Sequence, residues 1–271
     1  MIIKLGGIVN SFLKKIGYKI VTVDSKFRTT FTERQLLKAL TELSAVYNKY
    51  VFDNTLTTNP ECLALLSNSM YTRFSTGLFL IDYLHKSLNT EGDVCEFGVG
   101  QGAISAVLAQ EMKNTNKTIW LFDSFEGFAE PSEKDVLIYD VLQLGSVKAY
   151  KGMMSFPAEM VKTRLSDIHF PPGRIRIVPG FIENSIKGPA LPRAVCFAYV
   201  DFDFFEPILT ALQYLDTVIQ PGGFIIVDDY NFFSHGARIA VDEFIHSRKE
   251  KYSVDFPDTI SGNFCVLSRK N

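Results

Sequence analysis

The sequence predicts an α/β fold: a Rossmann-like, mostly parallel sheet with helices on both faces. Three observations carry this. From Asp93 to Tyr230, short and near-continuously apolar runs alternate with stretches of helical spacing, as strands buried on both faces do. The first run leads into a glycine-rich loop, EFGVGQG at 96–102, that opens a helix. The tail then changes pattern, and SVDFPD with NFCVLSRK reads as a C-terminal antiparallel hairpin closing a seven-stranded sheet.

Taken in order, the strands are DVCEFGV (93–99), TIWLFDS (118–124), RIRIVPG (174–180), VCFAYVDFD (195–203) and GGFIIVDDY (222–230). AISAVLAQEMK follows the first strand as a helix, and further helices are expected at 207–218 and 235–249. Pro207 suits a first helical turn and Ser234 suits an N-cap. Residues 1–90 read as a helical N-terminal extension packed on the 91–271 domain. Within it, LLKALTELSAVYNKYVF and YTRFSTGLFLIDYLHKSL carry helical spacing. The stretch 125–172 is long and polar for a crossover, with Gly, Pro and Lys throughout, so a lid or binding loop is expected there.

Composition narrows the function. The 271 residues are 46% hydrophobic and 21% charged, enough for a full core. A net charge of -2 supplies no field for nucleic acid, so no nucleic-acid partner is expected. The four cysteines are scattered without a C-x-x-C pair, which points to free thiols in a reducing, cytoplasmic compartment. No apolar stretch reaches the length of a membrane span. The first residues, MIIKLGGIVNSFLKKIGYKIV, are interrupted by Asn10 and Ser11 and make a poor signal peptide. With Lys4, Lys14, Lys15 and Lys19 they form a basic amphipathic pattern. A helix packed on the body or on a partner subunit is preferred there over peripheral membrane contact. A homodimer or higher homo-oligomer is expected.

The glycine loop is a ligand site in outline. Gly98, Gly100 and Gly102 allow close backbone approach, and the helix start favours negative charge. Asp123 ends the second strand, where an acid can hold both hydroxyls of a ribose. With Ala103 the loop also fits the dinucleotide pattern G-x-G-x-x-A. Glu96, two residues ahead of the first glycine, makes E-x-G-x-G-x-G. That resembles motif I of class I S-adenosylmethionine-dependent methyltransferases, and S-adenosylmethionine is the expected cofactor.

Asp201 and Asp203 sit two apart in the aromatic run YVDFDFFEP, and on a strand they would share a face. Two such charges in an apolar setting cost about several kcal/mol unless neutralised. Asp228 and Asp229 end the next strand, so all four acids are expected at one sheet edge. A hard cation such as Mg²⁺ is the simplest neutraliser, and the absence of His and Cys from both motifs argues against zinc. The competing reading of a single acid there, Asp229 above all, is a cap for the following helix.

From roughly Tyr71 to the C-terminus, GDVCEFGVGQGAIS, LFDSFEGF, DFDFFEP, QPGGFIIVDDY and ARIAVDEF stand in the order of the macrocin O-methyltransferase family. The chain resembles that family, whose members methylate sugar hydroxyls of natural products with S-adenosylmethionine and Mg²⁺. The resemblance implies a class I methyltransferase fold, with Asp201, Asp228 and Asp229 as metal ligands and Asp203 as general base. It implies Asp123 as the ribose ligand, with Ser124 and Phe125 beside the adenine. The chain departs from the family at Phe205, usually Tyr, at Pro207, often Ser, and through the insert 129–170. His235 is a second catalytic candidate, set against an ordinary helix-start histidine. Arg73 reads as a surface arginine before a contact for the methionine carboxylate. Phe202, Phe204 and Phe205 divide between an acceptor wall and core. The expected acceptor is a vicinal-diol sugar on a glycan, glycolipid, nucleotide sugar or glycosylated natural product. One rival is a catechol-type methyltransferase, which usually recruits a lysine absent from these motifs. The other, a catalytically silent binding module, has no need of four acids.

Overall fold

The computed structural model describes residues 31–67, 69, 72–257 and 263–271, so the N-terminal amphipathic segment lies outside the described residues. The chain divides into two compact units at 54/55. The described part of the first unit is one helix, Phe31–Tyr50, covering much of the predicted spacing.

The second unit, Thr55–Asn271, holds the sheet. Its strands are β1 (Asp93–Phe97), β2 (Ile119–Asp123), β3 (Ile175–Pro179), β4 (Val195–Val200), β5 (Ile219–Val227), β6 (Tyr252–Asp255) and β7 (Cys265–Arg269). They run in the order β3-β2-β1-β4-β5-β7-β6. Strands β1 to β5 pair in parallel, while β7 is antiparallel to both β5 and β6. The predicted hairpin is therefore present. Every β4 residue is buried, as its unbroken apolar run requires for a strand covered on both faces. Helices Pro60–Ser67 and Phe74–Ser87, which the sequence assigned to an extension, belong to this same unit and pack on Ala103–Glu111.

Strand order reverses between β1 and β4, and ligands of open α/β sheets bind in the crevice at such a switch point. Here the crevice is tight. A Cβ on Gly98, just past β1, would lie 1.9 Å from the backbone oxygen of Asp201, just past β4. Gly98 also has φ +83°, so both space and conformation require glycine there.

Three local expectations change. Strand β4 stops at Val200, not Asp203. The helix expected at 235–249 ends at His246. The insert 125–172 is partly helical, with a 3₁₀ turn at Val147–Tyr150 and a helix at Ala158–Asp167. Ser234 does cap its helix, accepting from the Gly236 N–H. All four cysteines are buried free thiols. Among the described residues no helix is long and apolar enough to cross a membrane.

Candidate active site

Two cavities open along the carboxyl edge of the parallel strands. The first, about 150 Å³, is lined by the glycine loop, Glu96, Asp123, Ser124, Phe156, Tyr199, Asp201, Phe202 and Asp203, among others. Gly98, Gly100 and Gly102 all take positive φ, which turns the loop across the cavity. The carboxylate of Asp123 holds that loop in place. One oxygen accepts from the N–H groups of Val99 at 2.7 Å and Gly100 at 2.9 Å, the other from Phe125 N–H at 2.6 Å. The predicted ribose acid is thus also the clamp of the loop. Ser124 lines the cavity and closes a turn with Glu126 and Gly127. Phe125 takes φ +57° and is not among the lining residues. Glu96 is buried and accepts from the Ser105 hydroxyl at 2.5 Å. Loss of hydration pushes its carboxyl up to about 8, against that hydrogen bond.

The four aspartates do converge. Their pairing on one strand face does not hold, because β4 has ended before Asp201 and Asp203 takes φ +63°. Asp229 is also left-handed, at φ +52°, a region asparagine and aspartate tolerate better than most residues. The loops beyond β4 and β5 bring the carboxyls together instead. Tyr199, fully buried on β4, sets its hydroxyl between Asp201, at 3.1 Å, and Asp228. Burial, then repulsion from Asp228 and Asp229, pushes the Asp201 carboxyl well above the usual range. Asp203 is pushed up to about 8 by burial and by Asp201. Asp229 is raised by burial and by Asp203 and Asp228, and it shares a hydrogen bond with Asp203 that requires a proton. Asp228 is raised by burial, opposed by the Tyr199 hydroxyl, the Asp229 N–H and the Arg73 charge.

This donor set is all hard oxygen, buried and mutually repulsive, and so fits a divalent cation of the Mg²⁺ kind by its chemistry. Among the described residues, no group of three or more His, Cys, Asp or Glu side chains is placed to hold a metal ion as the chain stands.

The second cavity, about 190 Å³, is lined by all four aspartates together with Arg73, Thr76, Phe232 and Phe233. The insert supplies Phe128, Val141, Leu142, Tyr150 and Met154. Phe128, Met154, Asp201 and Asp203 line both cavities and form the wall where they meet. No lysine lines either cavity among the described residues.

Several sequence readings are corrected here. His235 is exposed on the first turn of its helix and lines neither cavity; its N–H donates to Val136 O. Arg73 is no ordinary surface arginine. It lines the second cavity with its guanidinium 4.5 Å from the Phe232 ring centre, away from the glycine loop. Phe202 lines the first cavity, while Phe204 and Phe205 are buried in packing clusters. Tyr199 was missed, although a tyrosine heading an acidic run at a strand end is a visible signal.

Comparison with known proteins gives the family and the fold. A family model described as Macrocin-O-methyltransferase (TylF) matches residues 68–265. The chain is 25% identical over 232 residues to the 8-demethyl-8-(2,3-dimethoxy-alpha-L-rhamnosyl)-tetracenomycin-C 4'-O-methyltransferase of Streptomyces olivaceus, covering 81% of this chain and 85% of that one. It is 25% identical to the mycinamicin III 3''-O-methyltransferase of Micromonospora griseorubida, over 51% of this chain and 55% of that one. In fold it is similar to the O-methyltransferase NovP, with a TM-score of 0.58 at 20% identity over 70% of this chain and 77% of that one. It is also similar to the calicheamicin methyltransferase CalS11, with a TM-score of 0.53 at 19% identity over 92% and 99%.

Proposed function

The chain belongs to the macrocin-O-methyltransferase family, and from that premise we propose that it methylates a sugar hydroxyl using S-adenosylmethionine and Mg²⁺. The acceptor is a vicinal-diol sugar on a glycan, glycolipid, nucleotide sugar or glycosylated natural product. One observation carries the reading: the glycine-loop cavity and the carboxylate cavity meet at Asp201 and Asp203. Methyl transfer is an in-line displacement, so donor and acceptor must approach from opposite sides of one point, and the two cavities offer that arrangement.

The roles follow from position. Asp123 and the loop at 96–102 take the nucleoside of the methyl donor. Asp201, Asp228 and Asp229 would hold the cation, whose charge would offset their repulsion and acidify the acceptor hydroxyl. Asp203, on the shared wall, takes the hydroxyl proton; burial raises its affinity for a proton, and a bound cation would oppose that rise and keep the carboxylate available as a base. The absence of lysine from the described lining favours a sugar over a catechol.

The test is incubation with labelled S-adenosylmethionine and separate pools of nucleotide sugars, glycolipids and catechols, read by mass spectrometry. A methyl group is expected on a sugar acceptor, lost in excess chelator and restored by Mg²⁺. Methylation of catechols alone would overturn the acceptor, and full activity in chelator would remove the cation from the reaction.

A further inference from the structure

The segment 132–139 of the insert crosses directly over the loops that carry the acids. Its backbone is stitched to the second of them: His235 N–H donates to Val136 O at 2.9 Å, Ile138 N–H to Phe233 O at 2.9 Å, and Leu137 bridges Ser234. Its one buried acid, Asp135, reaches the first. One carboxylate oxygen accepts from Phe205 N–H at 2.8 Å, and the other accepts from Ser132 N–H at 2.7 Å and the Ser132 hydroxyl at 2.8 Å.

Phe205 opens the helix Phe205–Val218, whose own N-cap residue, Phe204, provides no side-chain cap. Asp135 supplies that cap from 70 residues away in sequence, and a carboxylate at a helix start also meets the positive end of the dipole. Lys134 adds to the clamp, with its Nζ 3.7 Å from the centre of the Phe205 ring and 2.7 Å from Glu243. The seat is made to measure: a Cβ on Gly236 would fall 1.8 Å from the Asp135 oxygen.

Asp203 lies two residues ahead of that cap in the left-handed region, which aspartate tolerates better than most residues but still holds at a cost that its neighbours offset. Phe204 N–H donates to Phe202 O at 2.7 Å across Asp203 itself, and two further contacts enforce the turn from outside it. Ser234 donates to Asp203 O at 3.0 Å, and Asp135 takes the N–H of Phe205. The same short strap fixes both anchors, since Ser234 bridges Leu137.

We propose that Asp135 is a positioning residue for Asp203, holding its left-handed backbone so that the carboxyl faces the wall shared by the two cavities. The kinetic consequence rests on Asp203 acting as the general base of the proposed reaction; the structural consequence does not. Two variants test it. Asp135→Ala removes the cap, and Asp135→Asn keeps an acceptor oxygen for Phe205 N–H. By hydrogen exchange with S-adenosylmethionine alone added, Asp135→Ala should speed exchange at 204–208 at least tenfold. Asp135→Asn should stay within about threefold of the parent.

With a sugar acceptor found by the labelling test, kcat should fall about 10- to 100-fold in Asp135→Ala, the S-adenosylmethionine KM staying within about twofold. The loss should vanish when Asp203 is already Asn, which a merely structural role would not produce. Unchanged exchange at 204–208, or an equal kcat loss in both backgrounds, overturns the proposal. Should Asp135→Ala not fold, Asp135→Ser, whose hydroxyl is too short to reach Phe205 N–H, is read in its place. No methyl transfer by the parent protein would instead sink the reaction, leaving the exchange result to decide the role of Asp135.

Discussion

Two clusters of charge in this molecule obey opposite rules. Near the end of the helix Phe205–Val218, Asp216 is one acid among cations. Arg248 donates to it at 2.9 Å, the Tyr252 hydroxyl at 3.0 Å, and Lys251 lies at 3.4 Å. Its carboxyl is held below the usual range despite burial. At the carboxyl edge of the strands, four acids face one another and all are raised. An acid retained for stability is surrounded by donors. Acids that oppose one another weaken the fold, so their presence points to a ligand that makes them tolerable.

The largest effect should come from breaking the acidic side. Asp203→Asn keeps shape and removes the base, and kcat should fall about 10²–10⁴-fold with S-adenosylmethionine affinity nearly unchanged. Steady-state kinetics with calorimetry checks both; loss of metal binding with kcat retained at saturating Mg²⁺ would make Asp203 a ligand.

Next is Asp123→Ala. It removes the proposed ribose partner and releases the Val99 and Gly100 amides together. Charged hydrogen bonds contribute roughly 1.5–3 kcal/mol each before non-additivity, so a loss of about 2–4 kcal/mol in S-adenosylmethionine binding is expected. Unchanged affinity in calorimetry would move the nucleoside elsewhere.

Smaller, and of opposite sign, is the effect of Asp228→Asn on the fold. A carboxyl whose pKa is raised by folding stabilises fully below its unfolded value, and that contribution is lost as pH rises through the folded value. Without added cation, thermal stability should therefore decline from about pH 4 towards pH 8, where Asp203 titrates. Asp228→Asn removes one repelling charge and leaves an oxygen for the Tyr199 hydroxyl. At pH 8 it should stabilise the cation-free protein by about 1–2 kcal/mol while weakening the stabilisation by Mg²⁺. Destabilisation under those conditions would show that the acids do not strain the fold.

How much of this the sequence disclosed follows from where the information lies. Strands β1, β2, β4 and the second half of β5 are legible because burial leaves near-unbroken apolar runs, whereas β3, at the sheet edge, has no buried residue and is legible only from its short apolar run. The four acids are legible because they interrupt those runs at the ends. The insert is not. The helix Ala158–Asp167 buries only Val161 and Leu165, a single i, i+4 pair in a polar segment, too little to form a period. Asp135 caps a helix 70 residues away, and a tertiary cap leaves no local pattern. His235 misled for the same reason: nearness to Asp228 in sequence says nothing of which way a helix turns, and this one turns it to solvent.

Asp216 gives the smallest effect and the clearest contrast. It stands near the end of the helix Phe205–Val218 and lines neither cavity. Burial alone would raise its carboxyl, but bonds from Arg248 and Tyr252 and the charge of Lys251 more than offset that. Its side chain is 12% exposed, so these bonds are only partly screened by solvent. Because the folded pKa lies below the unfolded value of about 3.9, the unfolded chain binds more protons in that window, and stability rises with pH there. The contribution is complete at pH 7 and is lost as pH falls through the folded value. Asp216→Asn should thus cost about 1–2 kcal/mol at pH 7 and progressively less below pH 4, with kcat unchanged. Denaturant melts at pH 7 and pH 3 measure the difference. A penalty of equal size at both would mean that Asp216 works by packing and not by charge, and the contrast between the two clusters would fail on its stable side.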